Sequence, residues 1–510
     1  MEKSDSRTIN SRNNFITGVI GQLLVLVMSF ICRTVFVRTL GKEYLGINGV
    51  FSHIISFLSL TELGIGTAIV FNLYKPIAEK DESRIYVLMK FYKQAYRLIG
   101  FVVIAIGLVL MPFLPYLAKD APGTINIYII FGLYLAQSAS SYFFFAYKSQ
   151  LVRADQRVYI INMAAWVSNI ALNIAQILSL LFLRNFEIYV ALSIVSSILV
   201  NIYISKVVDK LFPYVKEKRS DKLSWQETQS ILKDCLALSL WHINTVVTNT
   251  AKNIILSGFI GFAIVGLYSN FLLISTNIVK FLDAFFNAIA ASIGNLNATA
   301  NKRNHEVYNA TNLLTAVMYA IVCLGFYFVA NPFVTLWLSP IFRLDDITVL
   351  LLSIDMYIMG VFKLNNSFKS ALGLFKYLRL LPIIGAVVNV AVSILLVKPL
   401  GISGVILGAI IGNFFVFFLF DPIIVFKHGF KESWVPYFIR NFLYIGIIIA
   451  IGCLIRFIVV SQSMSLVLTI LVAGSLSVVL PILVFTAVFW KSAELTFLKK
   501  NVLTKVLKIH

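Results

Sequence analysis

Charged side chains stand inside the long apolar runs of this 510-residue chain, and some recur at related positions. Arg33 lies eight residues before Gly41, and Lys252 lies nine before Gly261. Glu62 and Asp283 follow those glycines by 21 and 22 residues. Intramembrane charges normally face a protein interior or a water-filled cavity, so a cation there can hold an anion and an acid can carry a proton or ion. At 1.5 Å per residue the cations sit roughly 12–14 Å from the turn, and the acids about 24–26 Å from Gly46 and Gly266. That separation is too large for a direct ion pair, which leaves the cations for another anion. The competing reading is snorkelling, with Arg33 reaching outward and Asp283 inward along apolar stems.

Other charges add to this constellation. Lys280 lies three residues before Asp283 on the same helical face, so it either pairs with that acid or joins the cations. Asp355 and Lys363 are eight apart with Asn365 and Asn366 beside them, a polar stretch without a first-half counterpart. His53 is either a proton relay or an interhelical hydrogen-bonding residue. Lys148, Arg153 and Lys369 fall at helix ends on the basic side, where they set topology and can attract a phosphate-bearing headgroup. The sequence has no phosphate-binding Gly-x-x-x-x-Gly-Lys-Ser/Thr loop, and His305-Glu306-Val307-Tyr308-Asn309 lacks the second histidine of a zinc protease. The expectation is a non-enzyme without cofactor or metal, driven by an ion gradient or the membrane potential. Cys32, Cys235, Cys323 and Cys453 are far apart and read as small buried hydrophobes.

The elements that must position these groups are membrane helices. Residues are 59% hydrophobic and only 13% charged, with a mean hydropathy of +0.87, which excludes an ordinary soluble enzyme. Runs of about 20 apolar residues predict fourteen spans. They are separated by short breaks such as Leu40-Gly41-Lys42, Ala121-Pro122-Gly123, Asn331-Pro332 and Pro399-Leu400-Gly401. The runs are too long and uniform for a barrel. With the N-terminus inside, the outer connections carry only Arg38, Lys42, Lys119, Arg184, Arg343 and Lys398, while the bulk of the 43 basic residues falls opposite. The positive-inside rule therefore predicts a multi-pass protein with both termini in the cytoplasm. It also accounts for the net charge of +20 without nucleic acid as a partner.

A parallel duplication is expected. Gly41, Gly46 and Phe51 match Gly261, Gly266 and Phe271 at an offset of 220, and Tyr147-Lys148-Ser149 resembles Phe368-Lys369-Ser370 at 221. Asn173-Ile174-Ala175 faces Asn389-Val390-Ala391 at 216. The predicted organisation is a six-helix bundle over 1–212, a basic linker over 213–233, a second six-helix bundle over 234–430, and two further helices with a basic tail over 431–510. The fold class is thus all-α integral membrane, with two bundles related by a pseudo-twofold axis.

The stretch from Phe36-Val37-Arg38-Thr39-Leu40-Gly41 to Thr61-Glu62-Leu63-Gly64, with Gly401-Ile402-Ser403-Gly404-Val405, resembles bacterial polysaccharide flippases. These belong to the multidrug/oligosaccharidyl-lipid/polysaccharide exporter superfamily. The resemblance implies a V-shaped cleft between the bundles, opening alternately to either side of the plasma membrane. It implies translocation of an undecaprenyl-pyrophosphate-linked oligosaccharide for capsule, exopolysaccharide or O-antigen assembly. Glycosyltransferases and a glycan polymerase of that pathway would be partners. Cations lining the cleft and an acid on the second helix are features of the family that Arg33 and Glu62 match, with Lys252 and Asp283 as their echoes. A drug or cation antiporter of the superfamily is the alternative, disfavoured by the positive intramembrane charge. A membrane-embedded glycan polymerase or ligase is the alternative of another class, disfavoured by the short outer connections.

Overall fold

The computed structural model describes the backbone of residues 2–58, 65–117, 125–217, 223–297, 303–372, 374, 381–461 and 464–499. Within these, side chains are described except at 2–20, 57, 65, 67–68, 116–117, 216, 230, 234–249, 283–285, 287–297, 303–304, 370–371 and 460. Among the described residues the chain is helical and without strands. The first helices are α1 (Glu2–Leu40), α2 (Lys42–Leu58), α3 (Ile65–Glu79), α4 (Glu82–Leu110), α5 (Leu114–Leu117) and α6 (Ile127–Phe143). They are followed by α7 (Ser149–Ala154), α8 (Val158–Phe182), α9 (Phe186–Leu211), α10 (Trp225–Phe259), α11 (Phe262–Asn297) and α12 (Arg303–Trp337). The last are α13 (Asp346–Leu372), α14 (Leu381–Asn413), α15 (Asp421–Ile424), α16 (Val435–Ser461), α17 (Leu466–Val488) and α18 (Ala493–Leu498).

Ten helices among the described residues are long and apolar enough to cross a membrane, or eleven when Ile127–Phe143 and Ala146–Ala154, bent by 50°, are taken as one span. One of the ten, Leu381–Phe430, has 50 residues. A straight helix of that length would run about 75 Å, far more than a hydrocarbon core of about 30 Å. It folds back instead at Gly401 (φ 57°, ψ −132°). A Cβ on Gly404 would lie 2.2 Å from the Leu396 carbonyl, and one on Gly412 would lie 2.6 Å from that of Gly385. Small residues at four-residue spacing let the two arms of this hairpin touch backbone to backbone. The turn predicted at Pro399-Leu400-Gly401 is thus present. With this hairpin counted as two crossings, the described membrane-length helices follow the order of the predicted spans. Large apolar side chains point outward, Phe182 at 80% exposure and Phe457 at 73%. Such surface is favourable against lipid and costly in water.

The local signals explain most helix ends. Gly41 (φ 92°) and Gly261 (φ 118°) both end a helix and start the next, in a backbone region open to glycine. Asn126, Asn185, Ser224 and Ser465 accept hydrogen bonds from first-turn amides of α6, α9, α10 and α17. One expected break is corrected. α12 runs through Asn331-Pro332 to Trp337, because proline removes only one helical hydrogen bond. The chain turns later, and buried Asn331 braces that turn by donating to the Leu344 carbonyl (2.8 Å) and accepting from the Leu344 amide (3.2 Å).

Contacts divide the chain into Met1–Gly266 and Leu267–His510. In the first unit α1 packs on α8, α4 and α9 pack on α6, and α10 packs on α2 and α3. Its core joins Tyr92, Tyr96, Ile99 and Val103 of α4 to Leu135 and Tyr142 of α6 and Leu151 of α7. In the second unit α12 packs on α13, α16 and α17, and α13 packs on the α14 hairpin. Leu324, Ile451, Ile455 and Ala473 form part of its core. The division falls in the first turns of α11.

Candidate functional site

Arg33 lies in the apolar part of α1, half-buried. Tyr189, Cys32 and Tyr134 are close enough to act on its charge. Tyr189 and Tyr134 come from α9 and α6, so helix packing brings two phenols within electrostatic reach of a guanidinium on α1. Tyr134 donates to Asn48 Oδ1 of α2. Cys32 donates to Gln176 Oε1 of α8 at 3.9 Å, and Gln176 Nε2 donates to the Tyr189 carbonyl and to Ser193 Oγ of α9, each at 3.0 Å. The ring of Phe36 meets Tyr189 (4.9 Å) and Phe186 (5.8 Å) edge-on, which fixes the aromatic wall. Gln176, Phe36, Phe186 and Tyr134 are buried, so they position Arg33 and Tyr189, whose half-buried guanidinium and phenol have the chemistry to bind an anion and a sugar hydroxyl.

Lys252 lies on α10 and is 6% exposed. Nearby on the same helix, Thr250 Oγ1 donates to the His53 carbonyl of α2 at 3.5 Å. The sequence repeat assigns Arg33 and Lys252 to different halves, whereas the contacts put both in the first unit. His53 itself is half-buried. Glu62 lies outside the described residues, and so does the side chain of Asp283 on α11. Lys280 is exposed, as is Arg153.

In the second unit Asp355 Oδ1 of α13 accepts from Asn413 Nδ2 at 3.0 Å. Lys363 is half-buried two turns further along the same helix. Below it, Tyr308 donates to Asn365 Oδ1 (2.6 Å) among the rings of Phe368, Phe426 and Phe430. His305 Nδ1 lies 2.9 Å from Glu432. Among the described residues, His, Cys, Asp and Glu side chains do not gather in the threes a metal site needs. A cavity of about 480 Å³ is lined by Glu306, Asn309, Arg440 and Glu494, with Arg440 and Glu494 paired at 2.7 Å. It holds none of the predicted site residues.

Lys148 and Lys369 require a correction. Their place at helix ends on the basic side predicts attraction of a phosphate-bearing headgroup, yet they are 7% and 0% exposed. Lys148 Nζ lies 2.5 Å from Asp209, and Lys369 Nζ lies 2.5 Å from Asp421. A sealed ion pair offers little charge to an exposed phosphate, since a carboxylate already neutralises the ammonium. The two acids were missed for different reasons. Asp209 sits in Lys206-Val207-Val208-Asp209-Lys210, which reads as a solvated loop, whereas Asp421 in Leu419-Phe420-Asp421-Pro422 was a detectable signal, a lone acid inside an apolar run.

No protein-family profile and no curated sequence matches the chain. Solved structures do resemble it. A lipid II flippase MurJ in an inward closed conformation aligns with a TM-score of 0.66 at 15% identity, covering 93% of this chain and 99% of its own. An inward-facing multidrug resistance MATE transporter aligns with a TM-score of 0.56 at 15% identity, covering 80% and 97%. A superfamily transporter from Pyrococcus furiosus aligns with a TM-score of 0.53 at 15% identity, covering 83% and 96%. At this identity the likeness establishes the fold, which is that of multidrug/oligosaccharidyl-lipid/polysaccharide (MOP) exporter superfamily transporters.

Proposed function

We propose that this chain is a transporter that flips an undecaprenyl-pyrophosphate-linked oligosaccharide across the plasma membrane by alternating access. The seat of Arg33 carries the reading: a guanidinium at membrane depth whose electrostatic neighbours include two phenols, one of them, Tyr189, held by the Gln176 amide and the Phe36 ring. In this reading Arg33 and Lys252 receive the pyrophosphate, with Lys363 and Lys280 as further cations. Amide and aromatic side chains hold the sugars while the prenyl tail stays in lipid. Glu62, Asp283, Asp355 and His53 are the candidates for coupling to a proton or ion, and Arg153 for attracting phosphate at the basic face. Both termini lie in the cytoplasm, and glycosyltransferases and a polymerase act with it to build the surface polysaccharide. The full-length alignment with a structure described as a lipid II flippase supports a lipid-linked cargo.

A drug or cation antiporter is the second reading, supported by the alignments with MATE transporters. A cationic cargo fits poorly beside Arg33 and Lys252, since like charges at low dielectric repel strongly. The experiment replaces Arg33 by Ala and by Lys, with expression checked, and measures surface polysaccharide alongside drug resistance. Export falling more than tenfold for Arg33→Ala, with partial retention for Arg33→Lys, supports the flippase. Unchanged export with altered resistance supports the antiporter.

A further inference from the structure

The Lys–Asp pairs form a repeated device. Lys148 and Lys369 occupy the matched triplets Tyr147-Lys148-Ser149 and Phe368-Lys369-Ser370. Each ammonium reaches a carboxylate on a later helix, Asp209 near the end of α9 and Asp421 at the start of α15. Each also lies over a phenyl ring, Lys148 over Phe145 at 5.2 Å and Lys369 over Phe362 at 5.6 Å. In the first unit Ser205 Oγ accepts a further bond from Lys148 at 2.8 Å. A buried ammonium at matched positions thus meets a carboxylate and a ring in both units, although the rings and acids stand at different spacings from the two lysines.

Burying both ions costs desolvation that their attraction often fails to repay, and an apolar pair of similar volume commonly holds a core as well or better. Static stability is thus a weak reason for building the pair twice. The local backbone points elsewhere. Lys148 follows the 50° bend after α6, where Phe145 takes a left-handed conformation (φ 63°) unusual for a bulky residue. Asp421 stands between two π-helical segments, Phe414–Phe420 and Val425–Phe430. Bends and π segments interrupt the regular hydrogen-bond ladder, so one part of a helix can shift without unwinding the other. In each unit, then, one partner of the pair is carried by an irregular helix and the other by a regular one.

We propose that Lys148–Asp209 and Lys369–Asp421 are matched latches, one in each unit, that tie the basic helix ends in this conformation and release during transport. An ion pair suits this task because it is directional and can be relieved by entering water, whereas an apolar contact resists opening to water throughout. The proposal rests on the transporter reading only for the need to release.

The test uses the full chain in membranes, its four cysteines replaced by alanine and a reporter cysteine placed at buried Ser367 or Ala154. Labelling by a membrane-impermeant maleimide reads opening of the helix ends without a transport substrate. Single variants Lys369→Met and Asp421→Asn for the Ser367 reporter, and Lys148→Met and Asp209→Asn for the Ala154 reporter, are expected to label at least tenfold faster than the parent. The apolar doubles Lys369→Met/Asp421→Leu and Lys148→Met/Asp209→Leu are expected to fold and to label more slowly than the parent. Singles labelling at the parental rate, or doubles that fail to fold, overturn the latch. Surface polysaccharide is scored in parallel: altered labelling without any effect on export leaves the latch standing and counts against the flippase.

Discussion

Gly46 and Gly266, matched residues of the repeat, meet at one helix crossing. A Cβ on Gly46 would lie 1.9 Å from the Phe262 carbonyl oxygen, and one on Gly266 would lie 2.3 Å from that of Lys42. Each glycine of α2 and α11 thus receives the first turn of the other helix. The contact is reciprocal, as expected of a local twofold relation between duplicated segments.

Alanine at either position is expected to be costly, because the obstructing atom is backbone and cannot swing aside. Overpacking of this kind destabilises by about 1–3 kcal/mol, occasionally more. Gly258 on α10 is the control, since nothing lies within 4 Å of a Cβ built there. Thermal unfolding of the purified variants should show a lowered midpoint for Gly46→Ala and Gly266→Ala. Gly258→Ala should be neutral or stabilised, since helix-interior glycine is worse than alanine by about 0.5–1 kcal/mol.

The start of α10 should respond to pH. Arg84 lies 2.7 Å from Glu227, and Ser224 donates to the same carboxylate from its amide and hydroxyl. These bonds, that from Arg84 foremost, hold the Glu227 carboxyl down at about 2, below its ordinary 4.5. A depressed carboxyl contributes stability that is present in full above its unfolded value and is lost as pH falls through the folded one. The difference in unfolding midpoint between the parent and Glu227→Gln should be constant above about pH 5 and shrink between about pH 4.5 and 2. A constant difference across that window would remove the assignment.

The cap itself gives a prediction independent of pH. Ser224→Ala deletes the acceptor for the Glu227 amide, and loss of an N-cap typically costs about 0.5–2 kcal/mol. Ser224→Thr should restore most of it, since the threonine hydroxyl both accepts the Glu227 amide and donates to its carboxylate. Hydrogen exchange of the first-turn amides of α10 is the direct measurement, with faster exchange expected only for the alanine variant.

Asn331 should prove structural. Asn331→Leu removes the donor to the Leu344 carbonyl and the acceptor for its amide, leaving buried groups unpaired at about 1–3 kcal/mol. Lower thermal stability without faster maleimide labelling at Ser367 is the expected result. Faster labelling would instead make this turn part of the moving machinery.

The amino-acid order alone was sufficient for whatever depends on neighbours along the chain. Runs such as Val158–Phe182 declare a membrane helix because a span must be continuously apolar, and Gly41, Gly261 and Gly401 declare turns because their backbone angles suit glycine. The concentration of basic residues on one side of these turns is likewise a linear property. Arg33 was legible as a charge at depth, but its company of Tyr134 and Tyr189 was not. Those contacts depend on how α1, α6 and α9 rotate against each other, which periodicity within one helix does not encode. The same holds for Lys148 and Lys369: their types and offset were visible, while Asp209 and Asp421 lie 61 and 52 residues away and meet them only through helix packing. Tertiary structure turned two cations expected to attract a headgroup into sealed ion pairs, because a charge's role is set by what faces it across the fold.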